Sequence, residues 1–299
     1  MEHRKISSLE RTKRRWAYAF LVIPILYYTI IRFYPTFYAF FLSFTDWNIV
    51  SKEKNLIGFS NYIKMWQDSL FWKTLQNTGK YVVFGLPASL FLGFVLAYNI
   101  EKAKIGSELF KSIYFVPYIT SMVAVAWVWR WLYQPAPIGF FNRILITMGL
   151  PQQKFLFSQS QAIFSIITTT IWADIGFQMV IFLAGLKGIP QDYYEAASLD
   201  GAGKIALLRH ITLPLLKPTT VFLVVTGTIR YLRIFTQVLN MTYQGEGGPL
   251  NSTKPLVLYI YNSAFRDFDM GYASAMTVIL FLFILAITLF QLKVMKSEY

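Results

Sequence analysis

Asp174, Arg230 and Arg233 are ionisable side chains inside otherwise apolar stretches of this sequence, where a charge is costly and therefore diagnostic. Asp174 lies in the run 161–186 beside Trp172, and Arg230 and Arg233 lie in the run 215–239. A carboxylate and a guanidinium can pair with each other, or the planar guanidinium can grip a carboxylate or phosphate on a ligand. Counted from the nearer polar loop, Asp174 is roughly 20 Å and Arg230 roughly 24 Å deep at about 1.5 Å per residue. Both can therefore reach one cavity near the middle of a membrane. Two readings stay open: a structural ion pair tying two helices together, or direct contact with a transported solute. Asp174 alone would also suit an ion-coupled secondary transporter.

Other chemistry has little to work with. The sequence has no cysteine, and its two histidines, His3 and His210, are isolated, which removes disulfides and clustered metal ligands. Paired carboxylates, or a nucleophile with a base at reachable spacing, are likewise missing. Gly201-Ala202-Gly203-Lys204-Ile205 comes nearest to a phosphate loop. A Walker motif needs Gly where Ser198 stands and Ser or Thr where Ile205 stands, so the chain is expected to be no enzyme and to hold no cofactor.

The elements that must position these charges are membrane helices. Of 299 residues 55% are hydrophobic and only 14% charged, far from the balance of a soluble domain. The formal net charge of +13 falls in the N-terminal segment and in short loops, a pattern of membrane topology rather than of nucleic-acid binding. A long first helix spans 16–44 with a kink expected at Pro35. Further spans are expected at 75–100, 112–133, 161–186, 215–239 and 270–294, giving an all-α integral membrane protein of six transmembrane helices.

Residues 1–16 form a basic cytoplasmic segment ahead of a permease domain at 17–299. Arg4, Lys5, Arg11, Lys13, Arg14 and Arg15, then Lys102, Lys104 and Lys111, place both termini in the cytoplasm by the positive-inside rule. External loops follow at 45–74, 134–160 and 240–269, although Lys52, Lys54, Lys64 and Lys73 blur the bias. Aromatic residues such as Trp127, Trp129, Trp131 and Tyr133 cluster near a span end, as at a headgroup interface.

The cytoplasmic loop at about 188–214 carries the strongest signal. Asp192 can cap a helix with Glu195 three residues on, and Gly201 can supply the left-handed residue that ends it. A second short helix is expected from about Gly203 to His210. The text Glu195-Ala196-Ala197, then Gly201, then Ile211-Thr212-Leu213-Pro214 resembles, at every fixed position and both gaps, the EAA signature of ABC importer permeases. Asp200-Gly201-Ala202 narrows the resemblance to the carbohydrate-uptake, maltose-type permeases. Ser43-Phe44-Thr45-Asp46-Trp47, Gly58-Phe59-Ser60-Asn61-Tyr62, Phe115-Val116-Pro117-Tyr118, Gly247-Gly248-Pro249 and Met270-Gly271-Tyr272-Ala273-Ser274-Ala275 are similar to the same family, the early motifs to its first permease subunit.

The resemblance implies alternating access in a bacterial inner or cytoplasmic membrane. It also implies a second permease subunit forming a heterodimer, an ATPase dimer that holds ATP and magnesium, and an extracytoplasmic solute-binding protein delivering a carbohydrate. Glu195, Ala196, Ala197, Asp200 and Gly201 would contact the ATPase. Substrate-contacting positions of the family match Thr170, Trp172, Asp174, Phe177, Thr226 and Arg230, and only the tryptophan keeps its residue type. Asp174 and Arg230 depart from the neutral pattern of that family, which points to an anionic cargo such as a uronate-containing oligosaccharide. Arg233 is less telling, since a basic residue there is common in such permeases, while Thr236 replaces an acidic one.

Overall fold

The computed structural model describes residues 8–50, 54–102 and 106–295; His3, Arg4, Lys5, Lys52 and Lys104 lie outside them. Among the described residues the chain is helical, with two isolated bridges, Thr45–Leu56 and Asn48–Asp269. The helices are α1 Leu9–Leu42, α2 Ser60–Gln67, α3 Ser69–Lys102, α4 Ser107–Ile119 and α5 Met122–Leu132. Next come α6 Phe140–Thr147, α7 Ala162–Lys187, α8 Gln191–Leu199, α9 Lys204–Leu215 and α10 Lys217–Leu232. The last three are α11 Thr236–Met241, α12 Leu256–Phe265 and α13 Met270–Val294.

Four of these, α1, α3, α7 and α13, are long and apolar enough to cross a bilayer, and two bent pairs bring the number to as many as six. The expected third span is not one helix: α4 and α5 meet at 96°. Thr120 at their junction is extended (φ −73°, ψ 143°) and Pro117 occupies the last turn of α4. The expected fifth span is also broken. α9 and α10 meet at 62°, and α10 stops at Leu232 because Arg233 leaves the helical region (φ −108°, ψ 20°). Residues 236–239 belong to the separate α11. The short helices α2, α6 and α12 form within segments expected only as external loops.

At Pro35, where the sequence predicts a kink, Leu9–Leu42 continues as one helix. The backbone widens to a π turn at Thr29–Phe33, just ahead of the proline. Tyr81–Gly85 does the same ahead of Pro87 and Leu208–Thr212 ahead of Pro214. Proline has no N–H and crowds the carbonyl four residues back; a widened preceding turn relieves both without ending the helix.

The chain forms two compact units, residues 1–66 with 263–279, and residues 67–262 with 280–299. In the first, three of the family-like motifs converge. Buried Asn61 donates from Nδ2 to the carbonyls of Ser43 (3.0 Å) and Thr45 (2.9 Å), the Gly271 N–H donates to Trp47 O at 3.0 Å, and Lys64 pairs with Asp269 at 2.7 Å. Asn55 donates backbone and side-chain N–H groups to Asp46, holding that carboxyl below its usual range.

The second unit is built on α7. Tyr81, Ile166, Tyr231 and Val238 centre one buried cluster, and Ala97, Met179, Phe182 and Leu223 another. Lipid is as apolar as these side chains, so close packing rather than water exclusion holds them together. Gly93 of α3 permits a close approach, since a Cβ there would collide with Gln178 of α7, and Gly176 of α7 does the same against the Tyr114 carbonyl of α4.

Candidate functional site

Asp174 projects from the buried spine of α7 and is 1% exposed; Arg230, in the last turn of α10, leaves 40% of its side chain open. Arg230 Nη2 lies 2.6 Å from Asp174 Oδ1. The two expected charges therefore meet. One guanidinium nitrogen meets one carboxylate oxygen in this pair. Arg230 also stacks its guanidinium carbon 5.0 Å from the centre of the Tyr118 ring, a cation–π contact. Tyr118 in turn stacks on Phe177 at 4.8 Å and 18°. The fork of Arg230 is thus braced on one side by a carboxylate and on its face by an aromatic wall.

The remaining expected positions divide. Phe177 joins this constellation through Tyr118. Thr226 lies one turn before Arg230 and spends its hydroxyl on Phe222 O (2.7 Å); buried Thr170 spends its own on Ile166 O (2.9 Å). Trp172 stands about 200° round the helix from Asp174, is 43% exposed and packs on Trp129 at 5.6 Å. Arg233, just past the end of α10, is exposed and forms no ion pair among the described residues.

Four further residues complete the site. Tyr118 braces Arg230. The Tyr231 hydroxyl lies against both Asp174 and Ser89, and Gln178 follows Asp174 by one turn. Ser89, Gln178 and Tyr231 are all buried; the Tyr231 hydroxyl links Ser89 to Asp174, while Gln178 Oε1 lacks a protein hydrogen-bond partner. Neutral Ser, Gln and Tyr within apolar runs carry no signal of their own; adjacency to Asp174 and Arg230 was the only one available.

The loop between α7 and α10 folds as two short helices. The expected cap at Asp192 is corrected: Pro190 (φ −59°, ψ 138°) is the N-cap, and Asp192 lies inside the first turn of α8 without a capping bond. Proline fixes its own φ and so sets the entry two residues earlier; Asp192 still favours the positive helix end. Gly201 takes the expected left-handed conformation at φ 82°, and the Ala202 N–H donates to Ala197 O at 2.9 Å. The second helix runs beyond His210 to Leu215. Tyr194 and Thr212 hydroxyls meet at 3.1 Å and fasten the two halves. No residue of α8 is buried, and Glu195, Ala196 and Asp200 are exposed, with Ala197 half-buried. Leu199 and Ile205 are 89% and 82% exposed, an apolar display suited to a protein partner.

Residues 89–296 match the family described as binding-protein-dependent transport system inner membrane component. The chain is 33% identical to the probable ABC transporter permease protein YurN of Bacillus subtilis, over 94% of this chain and 96% of that one. It is 32% identical to the diacetylchitobiose uptake system permease protein NgcF of Streptomyces coelicolor, over 88% and 77%. The fold matches a bacterial alginate ABC transporter crystallised with an alginate pentasaccharide-bound periplasmic protein, with a TM-score of 0.84 at 22% identity over 98% and 99% of the chains.

Proposed function

This chain belongs to the family of binding-protein-dependent transport system inner membrane components, and from that premise we propose that it is the first permease subunit of a heterodimeric importer for an acidic oligosaccharide. A solute-binding protein delivers the cargo from outside, and the chain, with a second permease, passes it through the bilayer by alternating access. ATP and magnesium reside on separate ATPase subunits, consistent with the missing Walker glycine at Ser198.

In this reading six spans cross the membrane, α4–α5 and α9–α10 each counting as one bent span, with both termini cytoplasmic. Helix α8 is the coupling helix, and Glu195, Ala196, Ala197, Asp200 and Gly201 meet the ATPase. Thr170, Trp172, Phe177, Thr226 and Arg233 remain candidate lining positions of the translocation path, with Asp174 and Arg230 at its charged centre.

The observation that carries the acidic cargo is the unequal exposure of the ion pair: Arg230 is open while Asp174 is sealed behind it. A guanidinium that meets one carboxylate through a single nitrogen keeps N–H groups for a second, and a uronate supplies one. Alginate, an acidic polysaccharide, is the cargo of the structurally similar transporter, and diacetylchitobiose is that of one relative. The ion-coupled alternative built on Asp174 finds no support in this family. Substrate-stimulated ATP hydrolysis of the reconstituted complex tests the reading: acidic oligosaccharides stimulate it and neutral analogues do not. Equal stimulation by both sets sinks the acidic cargo.

A further inference from the structure

A second cavity, of 460 Å³, opens where α3 and α7 end and where α8 and α9 begin. Its size is that of a small-ligand site, about 300–1,000 Å³. Lys102, Lys187 and Lys204 line it against a single carboxylate, Glu101. Among the described residues none of the three lysines forms an ion pair; Lys102 rests over the Tyr98 ring at 3.6 Å. Glu108 lies close enough to act on Lys187, and the like charges that line this concavity otherwise repel one another unless an anion joins them.

Local energetics account for two of the three. Lys102 and Lys187 each end a helix, where a cation complements the negative end of the dipole and follows the positive-inside pattern. Lys204 begins α9, at the positive end of that helix, where a cation is disfavoured. Its position serves the cavity and not the helix. Beside the lysines, Leu186, Ile189 and Leu207 form an apolar wall.

We propose that this cavity binds the phosphate of an anionic phospholipid headgroup from the cytoplasmic leaflet, with the apolar wall taking the glycerol and first methylenes. The proposal rests on the cytoplasmic placement of the coupling loop argued above. Basic pockets between transmembrane helices on that side take anionic headgroups, at about 1 kcal/mol per lysine near the surface. The lipid bridges the end of α7, which carries Asp174, to α8, which carries Glu195, so it stiffens the joint between the cargo site and the coupling helix.

The test is retention of phosphatidylglycerol by the complete transporter, purified with its own partner subunits from nanodiscs containing phosphatidylglycerol and phosphatidylcholine, and read by native mass spectrometry. The wild type is expected to retain phosphatidylglycerol selectively. Each of Lys102→Gln, Lys187→Gln and Lys204→Gln weakens retention about fivefold, the equivalent of about 1 kcal/mol, whereas Arg209→Gln, exposed on the same loop but outside the cavity, leaves it unchanged. An equal loss in Arg209→Gln shows diffuse surface charge and overturns the site. Displacement by millimolar inorganic phosphate, without selective lipid retention, overturns the lipid as its ligand. Lipid retention is independent of cargo and ATP hydrolysis, so failure of the transport reading leaves this measurement intact, and the reverse.

Discussion

The Asp174 carboxylate and the Arg230 guanidinium meet at 2.6 Å while dividing their exposure unequally, 1% for the acid and 40% for the base. The acid is sealed inside the helix packing and the base is the exposed member of the pair. Tyr118, stacked on Phe177, holds the face of the guanidinium and fixes the direction in which its free edge points.

Arg230→Gln removes the charged donor and lowers apparent affinity for an acidic oligosaccharide by at least about tenfold, since hydrogen bonds to charged groups contribute about 1.5–3 kcal/mol. Basal ATP hydrolysis stays within about twofold of wild type. Titration of stimulated hydrolysis with cargo reads the effect, and an unchanged half-saturation point removes Arg230 from the cargo site.

The same substitution leaves Asp174 buried without its partner, which costs about 3 kcal/mol, at the lower end for broken buried pairs because Arg230 is itself open. Adding Asp174→Asn restores more than half of that stability. Thermal unfolding of the three variants in detergent measures it; additive losses in the double variant would show that the two charges are not coupled.

Glu195→Lys and Leu199→Asp alter exposed positions of α8 and leave expression and thermal stability unchanged, while stimulated ATP hydrolysis falls at least about tenfold, a loss of ~1.4 kcal/mol of coupling. Retention of full stimulation in both variants would take α8 out of the ATPase contact.

Gly201 bends the loop at φ 82°, a region that costs a branched side chain about 1–2 kcal/mol. Gly201→Val therefore weakens coupling and Gly201→Asn largely preserves it, because asparagine tolerates the left-handed region. ATPase assays on the two variants separate backbone geometry from side-chain contact: equal losses would point to contact.

In the other unit, Asn61→Ala leaves the carbonyls of Ser43 and Thr45 without their shared donor. A destabilisation of about 1–3 kcal/mol follows, with cargo selectivity unchanged. A shift in selectivity at unchanged stability would contradict the structural role.

The last span was legible to the residue and α7 nearly so, because each is a single uninterrupted apolar run with an end marked by a polar turn. The broken spans were not. Hydropathy averages over a window wider than the breaks at Thr120, Leu216 and Arg233, and none of these is a glycine or proline. Asp192 had the right spacing for a cap, but the fixed φ of Pro190 took that position. The charged pair was legible because an ionisable group inside an apolar run stands out. Ser89, Gln178, Tyr118 and Tyr231 do not stand out, and only the packing of α3, α4 and α10 against α7 brings them to it.

Asp174 and Arg230 do not leave the ribosome together. A chain grows from its N-terminus at roughly 5–20 residues per second, so α7 reaches the membrane while α10, with α8 and α9 still to come before it, is unmade. For those seconds the acid has no base, and an aspartate near the centre of an inserting helix is opposed by about 2.5–3.5 kcal/mol on the translocon scale. The apolar remainder of α7 must carry its own acid into the lipid, and the arrival of Arg230 then locks a helix already inserted. Closure of this pair becomes possible once α10 is made, with the last span, α13, still to follow.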